Sequence, residues 1–117
     1  MKKKIPAAKG TRDILPREAA NWQNVESVSR RVFELYGYRE IRTPIFEATE
    51  LFEKGTGETS DIVIKEMYTF KDKAGRSLSL KPEYTPSVVR SIIENRLYLQ
   101  PDPLRFYYIG PMFRYDK

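Results

Sequence analysis

In the run Leu80-Lys-Pro-Glu-Tyr-Thr85 a carboxylate and a hydroxyl stand two residues apart. In extended backbone that spacing puts both side chains on one face. Glu83 and Thr85 can then each accept a hydrogen bond from one ammonium group. A plainer use of the same residues is that Thr85 caps a following helix while Glu83 sits near its positive end. Further on, Arg114 lies among Tyr107, Tyr108, Phe113 and Tyr115 in the aromatic run Arg105-Phe-Tyr-Tyr-Ile-Gly-Pro-Met-Phe-Arg-Tyr-Asp-Lys117. Its planar fork suits a phosphate or a carboxylate, or it pairs with Asp116 across a strand face. An ammonium site beside a phosphate-binding arginine is what activating an amino acid with ATP requires. The substrate's own ionised carboxylate attacks, so the work left to the protein is positioning and neutralising charge at phosphorus.

The composition is compatible with that chemistry and excludes others. The 117 residues contain neither Cys nor His, which removes thiol nucleophiles, imidazole bases, disulfides and most transition-metal sites, and no metal site is expected. With 40% hydrophobic and 32% charged residues of mixed sign, the chain reads as globular and ordered. The net charge of +5 comes partly from Lys2, Lys3 and Lys4, so it is a weak pointer to nucleic acid and equally that of an ordinary basic protein. No apolar run reaches the length of a membrane span, and Lys2–Lys4 lead into no signal-peptide core. A cytoplasmic protein without a membrane partner is expected.

The elements that must position these residues can be read from periodicity and punctuation. Pro16 suits the first position of a helix, Trp22, Val25, Val28, Val32, Leu35 and Tyr36 recur at helical spacing, and Gly37 ends it. That apolar stripe should lie on a core, opposed by Arg30, Arg31 and Glu34. Tyr38–Thr43 reads as a strand stopped by Pro44, and Ala48–Lys54 as one or two helical turns. Gly55-Thr-Gly-Glu-Thr-Ser60 is a glycine loop that matches no phosphate-binding fingerprint and reads better as a turn. Glu66–Lys71 and Arg76–Lys81 alternate as strands about Asp72-Lys-Ala-Gly75, a likeness to an antiparallel hairpin. Thr85 is expected to cap a second helix, with Pro86 first and an apolar stripe through Leu97 that continues until Pro101 and Pro103 forbid it. Leu104–Ile109 follows as a strand, interrupted at Gly110-Pro111 by a bend that re-aims Arg114. The fold class expected is α+β: a mixed, mostly antiparallel sheet flanked by helices.

Five segments in order, Lys9-Gly-Thr-Arg-Asp-Ile-Leu-Pro16, Tyr36–Glu47, Lys65-Glu-Met-Tyr-Thr-Phe70, Leu80–Thr85 and Tyr108-Ile-Gly-Pro-Met-Phe-Arg114, closely resemble the histidyl-tRNA synthetase family of class II aminoacyl-tRNA synthetases. The resemblance implies the N-terminal part of a class II catalytic core over residues 1–117. Motif 1 would span about 17–47, and motif 2 would begin near 104. Pro44 would be the motif 1 proline at a homodimer interface. Glu83, Tyr84, Thr85 and Arg114 would hold histidine, and Arg114, as the catalytic arginine, would contact the α-phosphate of ATP. Asp116, where the family often has Glu, would approach adenine, and Lys117 would begin the loop toward the tRNA acceptor end. Lys81 and Tyr84 stand where Arg and Gly are common in the family.

The partners so implied are L-histidine, ATP with Mg²⁺, and tRNA(His); no prosthetic group is implied. The run at Arg114 reads as a strand in progress, and motif 3, the histidine-specific segments and an anticodon-binding domain are expected beyond Lys117. On that reading the chain alone is inactive. Two alternatives belong to other classes. One is the synthetase-like regulatory subunit of ATP phosphoribosyltransferase, and the other is a free-standing dimerisation or RNA-binding module.

Overall fold

Pro16 opens a helix of twenty residues, α1 (Pro16–Leu35), because its fixed φ and missing N–H cost nothing at the first helical position. Arg12 reaches forward and donates through both Nη atoms to the two Glu18 carboxylate oxygens at 2.7 Å, which holds the Glu18 carboxyl below the ordinary range. Gly37, at φ 80°, takes the left-handed position that ends the helix. The helix and its boundaries match the sequence pattern. Among the described residues no α1 side chain is buried, and Trp22, Val25, Val28 and Val32 are all about half exposed.

The computed structural model describes residues 3–54 and 64–115, and the chain divides into two compact units, one up to Gly37 and one from Tyr38. The second unit carries β1 (Arg39–Glu40), β2 (Phe46–Ala48), α2 (Thr49–Glu53), β3 (Thr69–Lys71), β4 (Ser77–Leu80), α3 (Thr85–Glu94), a 3₁₀ turn at Leu97–Leu99 and β5 (Phe106–Tyr107). A three-stranded antiparallel sheet has the order β2-β4-β3, with Phe46 opposite Leu80 and Thr69 opposite Ser79. Separately, β1 and β5 form a parallel pair, Arg39 opposite Phe106. The expected α+β class and mostly antiparallel sheet are what the fold contains.

Four elements differ from the sequence reading. Strand β2 lies just beyond Pro44, where the expected strand was to stop, because its ladder partner on β4 is distant in sequence. Strands β1 and β5 are two residues each, shorter than Tyr38–Thr43 and Leu104–Ile109. Helix α3 stops at Glu94, well before Pro101. Asn95 donates its side-chain amide to the Ser91 carbonyl at 2.9 Å, and Arg96 adopts the left-handed conformation at φ 53°, which terminates the helix.

The alternation along β4 places Ser79 inward. Ser79 is fully buried, its hydroxyl within 3.0 Å of Thr49 Oγ1 and 2.9 Å of Thr69 Oγ1, so the polar group has partners on both neighbouring elements. Phe52, Tyr84, Val88 and Tyr107 form the apolar core of this unit.

The hairpin turn between β3 and β4 turns on Asp72. Its Oδ1 accepts from the backbone N–H groups of Ala74 and Arg76 at 2.9 Å, and Oδ2 accepts from Arg76 Nε at 2.7 Å. The backbone N–H of Arg76 is the largest cause that lowers this carboxyl's pKa. A carboxyl lowered by folding contributes stability that is fully present above its unfolded value, about 3.9, and lost as pH falls through the folded value. Carbon-detected titration of Asp72 is therefore expected to give a midpoint below about 3.9. Arg76→Ala, which keeps the backbone N–H, retains most of the lowering; a midpoint at the unfolded value in the parent chain would contradict this turn geometry.

Candidate amino-acid and phosphate site

The segment joining β4 to α3 is held from below by a buried lysine. Lys81 is 1% exposed; its Nζ donates to the Thr43 carbonyl at 3.3 Å and lies 3.6 Å from the centre of the Tyr84 ring, a cation–π distance. Its backbone N–H donates to the Ile45 carbonyl at 3.0 Å, so the residues on either side of Pro44 clamp it. Pro44 itself is exposed.

Above this base, the Tyr84 ring is buried and stacks on Tyr108 with centroids 4.4 Å apart and planes 13° from parallel. Gly110 passes so close that a Cβ there would collide with the Tyr84 hydroxyl. The glycine serves close approach here, rather than only a bend in the strand.

Thr85 does not cap α3. Tyr84 is the N-cap residue, without a side-chain capping bond, and Thr85 begins the helix itself. The Thr85 hydroxyl lies 3.3 Å from that of Tyr108. The expectation that Thr85 serves as the cap is corrected. Pro86 at the second helical position needs no N–H partner, which leaves the hydroxyl before it free of helix duty.

The chain from Gly110 onward docks beside this segment through two backbone bonds, Phe113 N–H to the Lys81 carbonyl at 3.0 Å and Tyr115 N–H to the Glu66 carbonyl at 2.7 Å. Between them Arg114 turns toward Glu83. Its Nε donates to the Pro82 carbonyl at 3.2 Å, Nη2 lies 3.9 Å from Glu83 Oε2, and Nη1 lies 4.0 Å from Glu66 Oε2. The Nε bond fixes the side chain, while the two ion pairs are too long to be hydrogen bonds. Arg114 and Glu83 are each nearly half exposed, so guanidinium and carboxylate are adjacent and both remain accessible.

Glu83 and Thr85 open onto one groove of about 640 Å³, continued along α3 by Pro86, Val89 and Ile93 and faced by Leu51 of α2. One end therefore offers acceptors, and the rest combines an apolar strip with the charged residues Lys54, Arg90 and Glu94. Of the predicted site residues, the structure brings together Glu83, Thr85 and Arg114. It buries the Tyr84 side chain among Lys81, Tyr108 and Gly110. Asp116, Lys117 and the glycine loop 55–60 lie outside the described residues. Sequence reasoning missed Glu66 as a neighbour of Arg114 and the contacts of Tyr108 with Thr85 and Tyr84, since a charged residue next to Lys65 and one tyrosine among several carry no such signal until the chain folds. Among the described residues there is no cluster of three or more metal-ligating side chains, and no helix is long and apolar enough to cross a membrane.

With this geometry in view, residues 10–117 match the profile of the histidyl-tRNA synthetase family. The histidine–tRNA ligase of Halothermothrix orenii is 58% identical over 113 residues, which cover 97% of this chain and 27% of that relative. The crystal structure of apo S. aureus histidyl-tRNA synthetase superposes with a TM-score of 0.83 at 46% identity, over 95% of this chain and 26% of the other. A structure described as an ATP phosphoribosyltransferase regulatory subunit/histidyl-tRNA synthetase from Bacillus halodurans C superposes with a TM-score of 0.79 at 27% identity, over 100% of this chain and 30% of the other. The chain thus spans about a quarter of the length of the curated relatives it matches.

Proposed function

The chain belongs to the histidyl-tRNA synthetase family, and from that premise we propose that residues 1–117 are the N-terminal part of a class II catalytic core in an enzyme that activates L-histidine with ATP and transfers it to tRNA(His). The observation that carries this reading is the 3.9 Å approach of the Arg114 guanidinium to the Glu83 carboxylate, which puts a phosphate ligand beside an ammonium ligand.

The chemistry follows from that juxtaposition. Glu83 and Thr85 accept hydrogen bonds from the α-ammonium group of histidine, and Glu83 supplies the countercharge. Arg114, already anchored by Nε, turns its two Nη atoms to the substrate carboxylate and the α-phosphate. A carboxylate oxygen attacks the α-phosphorus, the bond to the bridging oxygen of the β-phosphate breaks, and pyrophosphate leaves with its Mg²⁺. Guanidinium charge stabilises the negative charge that gathers on the phosphoryl oxygens. A terminal ribose hydroxyl of the tRNA then attacks the carbonyl of the adenylate, loses its proton, and releases AMP. Asp116 toward adenine and Lys117 toward the acceptor end complete the assignment.

Motif 1 over about residues 17–47 and motif 2 from about 104 are part of the same proposal, as is a cytoplasmic homodimer. The half-exposed stripe of α1 supports the dimer, because an apolar helix face of that kind calls for a partner. The likeness to the Bacillus halodurans structure keeps a regulatory-subunit reading as the second choice; the higher identities to the synthetases support the ligase.

Histidine-dependent pyrophosphate exchange by the full-length enzyme tests the proposal. Glu83→Gln is expected to raise KM for histidine about 10- to 100-fold, the worth of a charge-assisted hydrogen bond, and residues 1–117 alone are expected to support no exchange. Absence of exchange in the full-length parent, or an unchanged KM in Glu83→Gln, would remove the assignment.

A further inference from the structure

We propose that Tyr84 is a positioning residue that sets the Thr85 hydroxyl for the substrate ammonium by way of Tyr108. The inference rests on the assignment of Glu83 and Thr85 to the ammonium group and adds a supporting chain behind them.

Four observations describe how tightly the Tyr84 ring is enclosed. It is 7% exposed. The Lys81 ammonium lies 3.6 Å from its centre and the Tyr108 ring is stacked at 4.4 Å. At those distances the two cannot share one face, so the ring is gripped on both. Its hydroxyl end abuts Gly110 with no room for a Cβ between them. Lys81 is itself buried and tied to the Thr43 carbonyl, so the grip starts from a fixed point.

Tyr108 is the part of this stack that touches Thr85, which in turn lines the groove. It is 37% exposed, and its hydroxyl lies 3.3 Å from Thr85 Oγ1. A threonine hydroxyl rotates freely unless a partner directs it. When Tyr108 donates to Thr85 Oγ1, it occupies one of that oxygen's two lone pairs and leaves the other for a donor in the groove that Glu83 shares. The orientation of Tyr108 is in turn set by the ring stacked on it. The sequence Lys81, Tyr84, Tyr108, Thr85 is thus a continuous set of contacts from a buried cation to a ligand acceptor.

Exchange kinetics of the full-length enzyme test this against a merely structural role. Tyr84→Leu, which keeps apolar bulk but loses the stack, is expected to raise KM for histidine about tenfold while KM for ATP changes less than about twofold. Tyr84→Phe, which keeps the ring, recovers most of that loss. Tyr108→Phe removes only the hydroxyl and is expected to show the same histidine-specific rise, and Tyr84→Leu/Tyr108→Phe no more than either single variant. Equal effects on both substrates, additive effects in the double variant, or an unchanged histidine KM in Tyr108→Phe would each overturn the proposal. Should Tyr84→Leu not fold, Tyr108→Phe decides alone. Failure of the functional assignment is seen separately, in the parent enzyme and in Glu83→Gln.

Discussion

Replacing Arg114 by alanine is expected to lower histidine-dependent pyrophosphate exchange of the full-length enzyme by about 10²–10³-fold in kcat, the usual cost of one donor aimed at transition-state charge. Arg114 is held for that task and not consumed by structure. Among the described residues its Nε donates to the Pro82 carbonyl at 3.2 Å, which fixes its course, and its Nη atoms stand 3.9–4.0 Å from the Glu83 and Glu66 carboxylates, beyond hydrogen-bond length. Arg114→Lys retains the charge but neither the fork nor the Nε bond, so most of the loss should persist. Stability should change by less than about 1 kcal/mol in either variant, because the ion pairs are long and nearly half exposed. Exchange within tenfold of the parent in Arg114→Ala would end the catalytic assignment, while a collapse of folding would show the residue to be structural.

The opposite balance is expected at Arg90. Its Nη2 lies 3.0 Å from a Glu47 carboxylate that is 8% exposed, and its Nη1 lies 2.7 Å from Glu94, which is largely exposed. Burial works against the Arg90 charge, but the hydrogen bonds and charges of Glu47 and Glu94 more than offset it and hold the pKa above its ordinary value. Arg90→Ala strands the Glu47 carboxylate between β2 and α3 and is expected to cost about 3–5 kcal/mol by chemical denaturation. Glu94→Ala removes only the exposed pair and should cost less than about 1 kcal/mol. Replacing Glu47 and Arg90 together by leucine should recover most of the loss, since the penalty belongs to the uncompensated charge and not to the absent bridge. A cost below about 1 kcal/mol in Arg90→Ala would show that water reaches Glu47.

The two cases differ in how far they were legible beforehand. Arg114 stood out because a planar cation in an aromatic run followed the Glu83–Thr85 pair, and its family likeness named a role. Glu47 and Arg90 gave no warning, since each alone reads as one more charge in a mixed-sign chain. Their pairing across β2 and α3 depends on a register between distant segments. Lys81 and Tyr84 drew notice as two separate departures from a family pattern; only folding shows that they touch.

What the residue order by itself determined is local. Pro16 and Gly37 bounded α1, Asp72 and Gly75 closed the hairpin, and the α+β class followed from the alternation of periods, because backbone restriction and side-chain period act within a few residues of their cause. Tertiary structure decided the rest. It inserted β2 after Pro44, paired β1 with β5 in parallel, released Thr85 from capping and turned its hydroxyl to Tyr108. It also brought Arg114 within 3.9 Å of Glu83. These outcomes depend on which distant surfaces pack together, so the chemistry could be named from residue types while its geometry waited on the fold.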